Sequence, residues 1–435
     1  VIFDPAIVGI LLFGGLILLI VLRIPVAYAL ALAVVPVLLV EPRLTPVMLL
    51  QRMLKSYDSF ILLSVPFFIM AANVMNASGI TNKLIRFSKA LVGHLPGGLA
   101  HVNVVVSMFF AGISGSSTAD AAGIGSVLIP AMIKEKYDRF FTVAVTACSS
   151  VMGVIIPPSI IMVVWGGVSN TSVAALFLAG FVPGVMVALS QMGLVHIFSI
   201  KRKYPKEHAM DWKELGLSFK AAILPGITPV IIIGGIVGGF VTPTEASLLA
   251  VAYALFLALF VYRTIKPGRV SGLLLETAKL GGLSLFAVGT ASIYGWVLAY
   301  YRLPAYMVEA IGYITSSPTV MLFIIVGLFL IVGTFMDAIP AIVIMTPLLM
   351  PLAEHAGIHP LHYAISGIVA LSFGLITPPY GLCLLISSEI GGINSMDAIK
   401  EVGIFLAIML LVLSAIIVFP GLTMFLPRLF MPEFL

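Results

Sequence analysis

The segment GISGSSTAD, residues 112–120, gathers Ser114, Ser116, Ser117, Thr118 and Asp120 inside an otherwise apolar run. A second segment, GTFMD at residues 333–337, does the same with Thr334 and Asp337. Hydroxyl and carboxylate oxygens grouped in this way suit a small hard cation such as Na⁺. They do not form the carboxylate-rich cage that Ca²⁺ or Mg²⁺ requires. The accompanying glycines break the helix, and the break supplies backbone ligands. Free carbonyls end one half-helix and suit a cation, while free N–H groups begin the next and suit a carboxylate. Asp337 reads as lying near the cation. Asp120 has two readings, a cation ligand or a first-turn carboxylate stabilising its own helix.

The elements that position these residues are membrane helices. The 435 residues are 61% hydrophobic and 9% charged, with mean hydropathy +1.18, whereas a soluble domain carries about 25% charge. The apolar runs last ~20 residues and do not alternate in the ~10-residue manner of a β-barrel. An all-α polytopic membrane protein follows. The net charge of +5 reflects basic loops on the cytoplasmic side and gives no reason to expect a nucleic-acid partner. The first apolar run, 5–22, reads as a retained span and not as a signal peptide. Cys148 and Cys383 offer neither a disulfide framework nor a zinc ribbon. No nucleotide, nucleophile-elbow or CxxC motif is present, so neither an enzyme nor a cofactor is expected.

The stretches on either side of each break, 99–111 with 119–132 and 319–332 with 339–352, are too short to cross a ~30 Å hydrocarbon core singly. Each pair is expected to form a re-entrant hairpin, with a single span kinked at Gly112 as the alternative for the first. Two further spans are broken at double prolines, Pro157-Pro158 and Pro378-Pro379, because a helix interior cannot hold two missing donors and two clashing rings. These features repeat at one offset. Gly112, Pro130, Gly153, Pro157 and Pro158 map onto Gly333, Pro351, Gly374, Pro378 and Pro379, each 221 residues on. Basic residues at 89, 134, 136 and 139 place the mouth of the first hairpin in the cytoplasm. Five crossings then place the second outside, provided that 303–314 does not cross. The halves are inverted copies, an arrangement that implies alternating access around a mid-membrane site.

The expected organisation is scaffold helices over 1–96 and a first repeat core over 97–200, with its hairpin at 97–135 and broken span at 140–168. A basic cytoplasmic loop over 201–220 follows, and then second-half scaffold helices over 221–316. A second repeat core over 317–427 has its hairpin at 319–353 and broken span at 361–388. Each double-proline break is expected to pack against the tip of its own half. Thr242-Pro243-Thr244-Glu245 reads as a capped helix start. Asn170, Thr171 and Ser172, where the first broken span turns, are either substrate contacts or a helix cap. Arg302 is either a carboxylate partner or an interfacial anchor. His355, His359 and His362 are spaced like zinc ligands but read as a polar outer loop.

Taken together, GISGSSTAD (112–120), IIPPS (155–159), TPTEA (242–246), GTFMD (333–337) and ITPPYG (376–381) resemble the large membrane subunit of tripartite ATP-independent periplasmic transporters over essentially the whole chain. The resemblance implies a sodium-gradient-driven, elevator-type carrier of organic acids, of the sialic acid or C4-dicarboxylate class, in the bacterial inner membrane. It implies two partners, a small four-helix membrane subunit, here expected as a separate chain, and a periplasmic substrate-binding protein. It places Ser114, Ser116, Gly153 and Pro157 at a first sodium site, which Gly112 joins. It places Gly333, Asp337, Gly374 and Thr377 at a second, which Thr334 joins. Substrate is expected at Ser117, Thr118, Pro158, Pro379, Arg302 and Asn170–Ser172. Na⁺ is the coupling ion. A stand-alone anion channel, or a transporter without a binding protein, is the alternative.

Overall fold

A computed structural model describes residues 5–207, 209–312, 315 and 317–434, and among these every regular element is helical. The first half comprises α1 (Pro5–Val21), α2 (Val26–Val40), α3 (Pro46–Ser56), α4 (Ser64–Ala77), α5 (Ile80–Val92), α6 (Gly98–Ser114), α7 (Ser117–Lys134), α8 (Arg139–Ser150), α9 (Met152–Ile155), α10 (Ile160–Ser169) and α11 (Val173–Arg202). The second comprises α12 (Trp212–Val237), α13 (Pro243–Phe256), α14 (Pro267–Tyr300), α15 (Leu303–Gly312), α16 (Pro318–Gly333), α17 (Ala338–His355), α18 (Pro360–Gly374), α19 (Leu382–Gly391), α20 (Ile399–Val418) and α21 (Gly421–Phe430). Residues 1–4, 208, 313–314 and 316, which the expected segments include, lie outside the described residues.

The 221-residue offset extends to whole elements. Shifted by it, the bounds of α7 coincide with those of α17, and the start of α8 coincides with that of α18. The outer helices obey it too. α4 packs on α13 while α2 packs on α14, and α1 pairs with α2 as α12 pairs with α13. The 34-residue α14 corresponds to α3 and α4 together. One copy of this element is therefore interrupted at residues 57–63 and the other is continuous.

Both breaks fold the chain back on itself. Asn103 near the start of α6 reaches Met132 near the end of α7, with Nδ2 donating at 3.8 Å to Sδ, so α6 and α7 form an antiparallel hairpin. In the second, Tyr363 touches both arms. Its ring lies 6.0 Å from Phe329 of α16, and its hydroxyl donates to the Thr346 carbonyl of α17 at 3.1 Å. The arms are longer than expected, 17 and 18 residues in the first hairpin, because α6 continues through Gly112 to Ser114.

The 30-residue α11, about 45 Å long at ~1.5 Å per residue, fixes the relative direction of the hairpins. At its C-terminal end, the Pro205 carbonyl accepts from Gly97 N–H at 3.1 Å and from the Tyr137 hydroxyl at 3.4 Å, one on each side of the first hairpin's base. At its N-terminal end, Asn170–Ser172 face Met350, His359 and Pro360 at the base of the second. The hairpins thus enter from opposite ends. The segments expected to cross between them correspond to α8–α10, bent by 41°, to α11, α12 and α14, and to α13 with the π-helical turn Leu257–Val261 that extends it, each long and apolar enough to cross a membrane. α15, with ten residues, spans only about 15 Å.

Three short stretches are separate helices. α3 and α5 carry the basic residues near 52 and 89, and α21 follows a turn at Phe419-Pro420. In α5, Ile80, Leu84, Ile85, Ser88 and Val92 are buried, a helical stripe, and Arg86 on the opposite side pairs with Glu214 at 2.6 Å.

Candidate functional site

The first tip is two residues long. Gly115 takes a left-handed conformation, φ 62°, and closes α6 by donating to the Ala111 carbonyl at 3.2 Å. A side chain there would be strained, and a Cβ would stand 2.9 Å from the Pro158 carbonyl oxygen. Ser116 is extended and caps α7, its Oγ accepting from Ala119 N–H at 3.4 Å. The Gly115 carbonyl in turn accepts from Ile160 N–H at 3.2 Å, tying the tip to the double-proline break. Gly112 is not unwound, contrary to expectation. It lies in the last turn of α6, where carbonyls have no intrahelical partner, and its Cβ position is 3.7 Å from the Pro157 oxygen.

Beneath the tip, Asp120 is fully buried. Its Oδ1 accepts from the Ser114 hydroxyl, and its Oδ2 has no partner among the described residues. Gly153 lies against it: a Cβ would stand 2.5 Å from Oδ2 and 2.9 Å from Ser117 N. Ser117 Oγ donates to the Val151 carbonyl at 3.3 Å.

The second tip follows the same plan with different side chains. α16 ends at Gly333, and Asp337, 221 residues beyond Ser116, caps α17 by accepting from Ala338 N–H at 2.8 Å. The Thr334 carbonyl accepts from Tyr380 N–H at 3.0 Å, again a bond from tip to break. Gly374 meets the Gly333 backbone directly. The Thr334 and Thr377 hydroxyls donate to the Ile331 and Phe373 carbonyls at 2.7 and 2.8 Å, and their oxygens keep lone pairs free.

Both tips open into one cavity of about 570 Å³. Ser116, Ser117 and Thr118 line it from the first hairpin, and Asp337, Ala338 and Ile339 from the second. The outer wall comes from Asn73 and Asn76 of α4 and from Leu280, Leu283 and Ser284 of α14. The cavity therefore collects four of the residues singled out from sequence, together with the N-terminal turns of α7 and α17. Asn170, Thr171 and Ser172 line a separate hollow of about 260 Å³ beside His359 and Pro360. Ser172 also caps α11. Burial, and then Arg428, push the His359 imidazole below its usual range. Arg302 is exposed in the turn before α15 and lines neither space. Pro158 is buried under the first tip, and Pro379 is exposed beside the second. His362 is not in a loop but buried in α18, bonded to Thr423 at 3.0 Å. The expected capped helix start is present, and Thr242 and Glu245 cap it reciprocally as a capping box.

Asn73, Asn76 and Ser284 were not singled out from sequence. The signal was present for the first two: amides three residues apart in an otherwise apolar helix are costly there and mark function.

The family described as "Tripartite ATP-independent periplasmic transporter, DctM component" matches residues 13–422. The sialic acid TRAP transporter large permease protein SiaM of Vibrio cholerae is 39% identical, over 88% of this chain and 89% of that one. The C4-dicarboxylate TRAP transporter large permease protein DctM of Pseudomonas aeruginosa is 34% identical, over 87% and 88%. The 2,3-diketo-L-gulonate TRAP transporter large permease protein YiaN of Escherichia coli is 33% identical, over 94% and 96%. With helix hairpins entering from opposite ends and a shared cavity between their tips, the chain belongs to the DctM component family of tripartite ATP-independent periplasmic transporters.

Proposed function

We propose that this chain is the large permease of a sodium-gradient-driven uptake system for an organic acid, working by elevator-type alternating access in the bacterial inner membrane. The observation that carries this reading is an asymmetry at the boundary between hairpins and scaffold. The second hairpin meets the scaffold through its second arm, α17 on α14 and α15. The first meets it mainly through its first arm, α6 on α4, α5 and α12, while α7 touches α4 where Gly123 lies against Asn76. Internal two-fold symmetry would use the same arm on both sides. The chain departs from its own symmetry at this boundary, so an alternative arrangement with the roles exchanged is available to the same sequence.

Cation sites are assigned to each tip and the break it rests on. The first comprises Gly112, Ser114, Ser116, Gly153 and Pro157, and the second comprises Gly333, Thr334, Asp337, Gly374 and Thr377. The substrate carboxylate meets the N-terminal turns at Ser117–Thr118 and Ala338. A small membrane subunit and a periplasmic binding protein complete the tripartite system. The hairpins, which meet the membrane from opposite faces, are re-entrant. Uptake into proteoliposomes tests this. It should require an inward sodium gradient, the binding protein and the small subunit together. Sodium-independent conduction by the chain alone would replace the carrier with a channel.

A further inference from the structure

We propose that Asn73 and Asn76 on α4 set substrate specificity, selecting a monocarboxylate rich in neutral hydroxyl or amide groups over a dicarboxylate. The inference rests on the transport reading above and deepens it. Its first ground is the charge inventory of the cavity. Among the described residues lining it, Asp337 is the one ionisable side chain, and no Lys, Arg or His is present. An anion there is met by two helix N-termini, each worth about half a positive charge, and by the cations assigned to the tips. Each of the two cations is offset by the carboxylate of its own tip, Asp120 on Ser114 or Asp337, so the two helix N-termini, together about one positive charge, are left to balance one substrate carboxylate. A second carboxylate would be desolvated without a partner, which is strongly unfavourable. No arginine fork, the usual solution for a carboxylate, is available.

The second ground is how the amides are held. Asn73 Nδ2 donates to Thr277 Oγ1 of α14 at 3.1 Å, which fixes that amide and leaves its Oδ1 free to accept. Asn76 Oδ1 accepts from Thr81 Oγ1 at 3.4 Å, which leaves its Nδ2 free to donate. Neither free group is among the sealed polar atoms of the interior, and both side chains line the cavity. One turn of α4 therefore presents an acceptor beside a donor, the complement of a hydroxyl or acetamido group. The corresponding positions on α14 are Tyr294 and Val297, both buried, so this reading surface exists on one wall only.

Direct binding to the purified membrane complex, without the binding protein, tests this. The probes are N-acetylneuraminate, 2,3-diketo-L-gulonate and succinate, titrated in sodium. At least one hydroxylated monocarboxylate should bind about tenfold tighter than succinate. Asn73→Leu and Asn76→Leu should each weaken that probe about tenfold, leaving succinate and the half-saturating sodium concentration unchanged. Tighter binding of succinate by the unmodified protein, or equal weakening of all probes by the variants, overturns the inference while the transport reading stands. Absence of sodium-dependent binding of every probe overturns both. The ranking by the unmodified protein decides the substrate class even where a variant does not fold.

Discussion

Gly374 rests backbone to backbone on Gly333, so that a Cβ on Gly374 would fall on the Gly333 carbonyl. Gly153, its counterpart 221 residues earlier, rests on its own tip too, but there a Cβ would meet the Asp120 carboxylate oxygen first and the Ser116 and Ser117 backbone next. Every atom in the way at Gly374 is backbone, so that contact cannot yield cheaply. Gly374→Ala should displace the second tip at a cost of about 1–3 kcal/mol. That corresponds to roughly a 5- to 150-fold loss of sodium-coupled uptake. Uptake measured at equal amounts of folded protein decides it. Near-normal rates would show that the tip need not sit on its break.

Ser116 and Asp337 hold equivalent capping positions but differ in charge. Ser116→Ala should remove a neutral oxygen ligand and Asp337→Ala a charged one. The half-saturating sodium concentration should therefore rise several-fold in the first variant and roughly tenfold or more in the second. Each should also lose about 1 kcal/mol of helix capping. Sodium titrations of uptake separate the two effects. An unaltered sodium dependence in both would remove the cation assignment.

Ser114 supports Asp120, not the open cavity. With Ser114→Ala, neither oxygen of the buried Asp120 carboxyl would have a side-chain partner among the described residues, a loss of about 2 kcal/mol or more. Thermal unfolding in detergent without sodium should show that loss. Ser116→Ala should shift the unfolding temperature less. Equal shifts would mean that Asp120 does not depend on Ser114.

The parts of the molecule that were legible in the sequence are those where backbone geometry dictates residue type. Glycine at 153 and 374 and proline pairs at 157 and 378 announce breaks, because a Cβ or an interior helix cannot be accommodated there. Their common spacing exposed the repeat. Where composition is compatible with several geometries, the reading slipped. α5 has too many charges for a span, but its stripe from Ile80 to Val92 is helical. Gly112 tolerates a helix as readily as a break, and the unwinding falls instead at Gly115, which needs a positive φ. Two amides in an apolar helix mark Asn73 and Asn76 as unusual, but which way they face depends on the packing of α4 against distant helices, which no local pattern encodes.

The offset that maps one half onto the other also names the contact that an exchange of the halves would tighten. The Cβ position of Gly295 on α14 lies 3.6 Å from the Val343 carbonyl of α17, within the interface that holds the second hairpin to the scaffold. Subtracting the repeat gives Val74 on α4 and Ala122 on α7. Ala122 is exposed, although it lies on a helix of the hairpin core. Exchanging the roles of the halves should bring Val74 and Ala122 together as Gly295 and Val343 are now. Val74→Cys with Ala122→Cys, in a background freed of Cys148 and Cys383, should cross-link under conditions that favour the exchanged state and stop uptake. Reduction should restore uptake. A pair that never cross-links, while uptake proceeds, would mean that the hairpins move by some path other than exchange of their equivalent contacts.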